Sequence, residues 1–203
     1  KAATNLALVG KTEGTNFTDS LLVGHATTGT LSTAIQNTGI GIDALDAIAT
    51  GDRNTAVGFS TLTASTNGSY NTAIGNQAMT AQGSGGANTA IGSNSLQSNS
   101  TGSDNTAVGY LALGNTNGEK NTALGGNAGR LINSGLSNIA IGYNSGDNIT
   151  SGDGNIIIGS IDADSATGDK QLIIADGVDG SVAWIKGDSN GVVTFADDII
   201  IKD

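Results

Sequence analysis

The side chains able to do chemistry are few and far apart in this sequence. His25 is the only histidine and follows Gly24 at a corner. With no cysteine and no second histidine it has no companion for a relay or a ligand set, so a structural or surface role is expected. Asp153-Gly154, Asp162 and Asp164 offer carboxylates for a hard cation. Such a site needs about six oxygens or more, and the nonapeptide calcium pattern is absent, so no metal is expected. Cleavage of a glycoside would need two facing carboxylates. Between residues 54 and 159 the charged side chains are Asp104, Glu119, Lys120, Arg130, Asp147 and Asp153. None has a recognisable catalytic partner, and no enzyme activity is expected. Gly83-Ser84-Gly85-Gly86 lacks the Gly-Lys-Ser/Thr that would make it a phosphate loop. It reads as a turn, and no cofactor is expected.

If these residues do not define the protein, the elements that carry them must. The 203 residues include 32 Gly and no Pro or Cys, and only 13% are charged. Ordinary usage is about 7% Gly, ~5% Pro and ~25% charged. One Trp, three Tyr and three Phe are few large side chains for a thick core. This describes a thin core of small residues repeated along an axis. Disorder is excluded by the regular apolar rhythm and the missing Pro. A net charge of −10 argues against nucleic acid. No apolar run approaches the ~18 residues of a membrane span, so no membrane insertion is expected.

The rhythm is a 17-residue repeat. Asn-Thr-Ala-aliphatic-Gly starts at Asn54, Asn71, Asn88, Asn105 and Asn121, with degenerate copies at Asn37, Asn138 and Asn155. One residue is missing before Asn121. Earlier apolar runs, Ser20–Gly24 and Leu6–Gly10, extend the series. A small residue and then Leu or Met follow each motif, as in Thr61-Leu62 and Ala78-Met79; two later coils have Ala128-Gly129 and Ser145-Gly146. Three residues before the next Asn stands Gly51, Gly68, Gly85, Gly102, Gly118, Gly135 or Gly152. These glycines are expected to supply a positive φ at a turn.

The expected fold is all-β: a parallel β-helix or β-roll solenoid of about 17-residue coils. Coils stacked in register hydrogen-bond at ~4.8 Å, and aligned Asn residues form an amide ladder. Alternation places Thr and the aliphatic residue on one face of each strand, and Asn, Ala and Gly on the other. Leu21, Ile139 and Ile156 occur in the Thr column. On that ground the Thr column and Val57, Ile74, Ile91, Val108, Leu124, Ile141 and Ile158 are expected inside. The Ala column is then left to meet another surface. So thin a coil is expected to need oligomerisation.

Three segments follow: 1–19, an N-terminal capping segment; 20–159, the solenoid; and 160–203, a β-rich linker module. The last carries nine acidic residues against three lysines. Strands are expected over 171–175, 181–186, 192–196 and 199–202, separated by the turns Asp176-Gly177, Asp179-Gly180 and Asn190-Gly191. Trp184 is expected at a subunit junction.

The run NTAVGFSTLTASTNGSYNTAIGNQAM resembles the repeats of tail-fibre and appendage proteins of marine bacteriophages. It is also similar, at a longer period, to the SVAIG repeats in YadA-like heads of bacterial trimeric adhesins. The segment DKQLIIADGVDGSVAWIKGDSNGVVTFADDIIIKD resembles linker modules of phage fibres. The resemblance implies a homotrimeric fibre on a virion, a rigid spacer and host-attachment element. Its partners would be other copies of itself, other fibre or virion proteins and a host surface polysaccharide or receptor. The alternative is an adhesin head on a bacterial cell surface. An ice-binding solenoid would use the ladder Thr55, Thr72, Thr89, Thr106 and Thr122. The expected inward direction of that column sets this reading behind the others, and a depolymerase comes last.

Overall fold

The structure, a computed structural model, describes residues 10–12, 20–24 and 33–196. His25 and the strand expected over 199–202 lie outside the described residues, as does most of the 1–19 segment. Within them thirteen strands form one sheet in sequence order. Strands β2 (Leu21–Val23), β3 (Thr38–Ile40), β4 (Thr55–Val57), β5 (Thr72–Ile74), β6 (Thr89–Ile91), β7 (Thr106–Val108), β8 (Thr122–Leu124), β9 (Ile139–Ile141), β10 (Ile156–Ile158) and β11 (Leu172–Ala175) are parallel neighbours. Antiparallel strands close the two ends: β1 (Gly10–Thr12), and β12 (Ala183–Gly187) with β13 (Val193–Phe195). At ~4.8 Å per strand the ten parallel rows make a rod on the order of 43 Å long.

Each parallel row pairs equivalent positions of successive repeats, Thr55 with Thr72 and Ala56 with Ala73. Hydrogen bonds between coils continue beyond the strand. The Leu62 amide donates to Ala78 O at 3.1 Å, and Met79 to Ser95 O at 3.0 Å. Proline, which has no N–H, would break these ladders at any of the donor positions.

The parallel stack runs past the Gly159 boundary set by the motif. Gln171 takes the place of Asn, 16 residues after Asn155, and its amide donates to Asn155 Oδ1 at 2.8 Å. Gly168 then continues the glycine column. The signal was present in Gln171–Ala175, whose apolar pattern matches Asn155–Gly159.

The interior reverses the expected faces. Ala56, Ala73, Ala90, Ala107 and Ala123 are fully buried. The residues expected inside, Val57, Ile74, Ile91, Val108, Leu124, Ile141 and Ile158, lie on the other side of the strand. Ile74, Ile91 and Leu124 are 39%, 40% and 49% exposed. The interior is instead filled by the Asn and Ala of the strand and, across the coil, by Leu45, Leu62, Met79, Leu96 and Leu113.

Volume is balanced within this thin core. Middle coils combine a Leu or Met with a smaller or polar side chain three residues on, as Leu62 with Ser65 and Leu96 with Asn99. The later coils invert the pair, Gly129 with Ile132 and Gly146 with Ile149. A Cβ on Gly129 would meet Ile132 Cδ1 at 2.9 Å. Leu22, large where the middle coils have Ala, is accommodated by Gly39 in the next coil, where any Cβ would collide with it.

The turn glycines also have a different cause from the one expected. Gly51, Gly68, Gly85, Gly102, Gly118, Gly135 and Gly152 are not in a positive-φ conformation. A Cβ on each would lie under 3.0 Å from the carbonyl oxygen of the glycine one coil on, Gly102 against Gly118 and Gly152 against Gly168. The column is glycine because backbones meet there. Positive φ falls elsewhere: at Gly58 and its equivalents, and at non-glycine corners such as Leu62 (φ 50°) and Tyr70 (φ 62°). A left-handed non-glycine residue costs roughly 1 kcal/mol or more, offset at Leu62 by complete burial.

Candidate interaction face

The sheet needs a rigid frame to present anything in register, and the asparagines supply it. The Asn71 amide donates to Asn54 Oδ1 at 2.9 Å, Asn105 to Asn88 Oδ1 at 3.0 Å and Asn138 to Asn121 Oδ1 at 2.9 Å. The same contact joins Asn37 to Asn54 and Asn138 to Asn155. Each Nδ2 from Asn37 to Asn138 also crosses the coil to a turn-glycine carbonyl, Asn121 to Gly135 O at 2.9 Å. All eight asparagines are buried. Ser20 Oγ begins the ladder by accepting from the Asn37 amide at 2.8 Å, and Gln171 ends it. The polar interior residues do related work. Asn99 Oδ1 accepts from the Gly102 amide at 2.7 Å, and Gln82 Nε2 donates to Gly85 O at 2.6 Å.

What this frame displays is a continuous strip in register. One outward column is Thr from Thr38 to Thr122, bracketed by Leu21, Ile139 and Ile156. The other is aliphatic from Val23 to Ile158. Neither holds a charged residue. Beside them stand Ile42, Phe59, Tyr110 and Tyr143, all exposed. An uncharged apolar strip of this extent is more than scattered surface residues provide, and such strips mark contact surfaces.

The candidate chemical residues are not brought together. Arg130 and Asp147 form a two-pronged ion pair across one coil, with both N–O distances 3.1 Å. The 17-residue spacing could have identified this pair, which at the surface stabilises by about 0–1 kcal/mol. Asp153 Oδ1 accepts from the Leu136 amide, Asp162 Oδ1 from the Asn148 amide, and Asp164 pairs with Lys186 at 2.6 Å. Asp104, Glu119 and Lys120 sit at the corners, where their backbones join neighbouring coils: Asp104 N to Gly86 O, Ser137 N to Glu119 O and Lys120 N to Ser103 O. Gly85 and Gly86 lie in an ordinary inter-coil turn. No cluster of three His, Cys, Asp or Glu suited to a metal occurs among the described residues. A shallow cleft of about 330 Å³ is lined by Asn144, Asp147, Ser160, Ile161, Asp162 and Asp179. Its carboxylates already bond Arg130 and the amides of Asn148 and Ser181.

Asp176 organises the turn after β11. Its Oδ1 accepts from the amides of Val178, Asp179 and Gly180, and its Oδ2 from Val182. The Val182 bond, then that from Asp179, holds its carboxyl at about 2, below the ordinary 3.8. Asp188 does the same between β12 and β13, lowered chiefly by the Val192 amide.

Comparison with known protein families, characterised proteins and solved structures finds no match for this chain.

Proposed function

We propose that this chain is a structural segment of a homotrimeric fibre, a phage tail fibre or virion appendage. It acts as a rigid spacer that supports host attachment. An adhesin head on a bacterial surface would use the same physics. The observation that carries the reading is the uncharged Thr and aliphatic strip, held in register and outward by the buried Asn ladder. Copies that cover one another's strips remove apolar surface from water at about 25 cal/mol per Å². A stiff rod with three copies of each contact gains avidity at its target.

Sedimentation of the full chain tests this, with trimers expected at micromolar concentration. Ile91→Asp should abolish association and leave the chain folded, since Ile91 faces out. Ala90→Asp, one residue away and fully buried, should unfold it, because an unpaired buried charge costs several kcal/mol. A folded wild-type monomer at that concentration overturns the reading.

A second reading gains support from the outward direction of the Thr column. Thr38 to Thr122 repeat in register on the outward side of the sheet, as an ice-binding surface requires, and the expected inward direction no longer counts against it. The fibre reading leads because the adjoining column is wholly aliphatic. Thermal hysteresis of the freezing point, lost in Thr89→Lys, would favour the second.

A further inference from the structure

Both outward columns continue past the last coil and through a reversal of chain direction. Ile158 pairs with Ile174 in β11, Ile174 with Ile185 in β12, and Ile185 with Phe195 in β13. The companion column runs Ile156, Leu172, Gly187, Val193. Directly paired residues share a face of the sheet, so the strip extends to the end of β13. A bulge makes this possible. Ala183 pairs with the buried Ala175 and packs against the core, while Ile185 pairs with Ile174. Two residues apart in a regular strand they would share a face; Trp184 is the inserted residue that sends them to opposite ones.

Repetition does not account for these side chains. The repeat has ended and the strands are antiparallel, yet the strip positions are Ile185, Val193 and Phe195. The positions between them, Lys186 and Thr194, are polar and pair with each other. Thr has also left the companion column from Ile139 onward. The C-terminal end is the most apolar part of the strip.

We infer that β11–β13 form the C-terminal part of the self-association face, seated on the same module of a second copy in parallel register. This rests on the proposed reading that the chain associates through the strip. The occupant follows from length and repetition: a partner must match an uncharged strip across twelve rows at the strand spacing, and another copy does so. Area points the same way. With β2–β13 about 55 Å long and ~12 Å wide, the strip covers roughly 650 Å² per copy, close to the ~800 Å² of a stable interface. Ending it at β10 leaves only about 480 Å².

The test is sedimentation of the full chain with Phe195→Asp and, as control, Thr194→Asp, its neighbour on the other face. Phe195→Asp should weaken association at least tenfold, and Thr194→Asp should leave it unchanged. Carbene footprinting of wild type reads the same surface without substitution: Ile185, Val193 and Phe195 should lose labelling on association. A wild-type oligomer with these residues fully labelled, or unaffected by Phe195→Asp, overturns the inference and leaves the proposed function standing. A monomeric wild type overturns both.

Discussion

The Asn88 side chain and backbone both donate to one oxygen: Asn71 Oδ1 accepts from Asn88 N at 3.0 Å and from Asn88 Nδ2 at 3.1 Å. Asn88 in turn accepts from the Asn105 amide and donates to Gly102 O. One amide therefore fastens three coils inside the buried core. Asn88→Ala should destabilise by about 2–4 kcal/mol, since each orphaned buried group costs roughly 1–3 kcal/mol. Asn88→Asp should be worse, adding a buried charge. Urea unfolding of each variant gives the comparison.

Gly102 lies against Gly118 of the next coil, with no room for a Cβ. Gly102→Ala should already be strongly destabilising, and Gly102→Asn no better than Gly102→Val. Were the column there for positive φ, Asn would be tolerated. Melting temperatures of the three variants decide the cause, and a well-tolerated Gly102→Ala would remove the steric account.

The inverted core pair can be exchanged. Gly129→Leu alone should cost about 1–3 kcal/mol by overpacking against Ile132. Adding Ile132→Ser recreates the Leu62–Ser65 combination and should recover much of the loss. A double-mutant cycle measures the coupling; additive effects would mean that the two side chains do not compete for space.

The Asp176 turn should be acid-sensitive. Its carboxyl titrates lower in the folded chain than in the unfolded one, at about 2 against 3.8. The ionised form therefore favours folding above the ordinary value, and that contribution is lost as pH falls from about 4 towards 2. Amide exchange at Val178, Gly180 and Val182 should rise across that window. In Asp176→Asn the same amides should show no such step.

The sequence by itself determined the period, the parallel in-register pairing, the Asn ladder and the positions of the turns. These are translational properties. If every coil is alike, position n must meet position n of the next, and spacing alone reveals that. It also sorted residues into two faces, Thr with Val and Asn with Ala. Only the tertiary structure decided which face is inside, because strand alternation is symmetric about the sheet. The deciding terms are long-range. Asn can bond the turn-glycine carbonyl only from inside, which takes Ala56 in with Asn54 and turns Thr55 and Val57 out. The opposite wall already supplies the bulk of the core with Leu62, and the small Ala56 fills the space that the strand leaves. The glycine column shows the same division: its spacing was plain in the sequence, but its cause, a carbonyl one coil away, exists only once the coils are stacked.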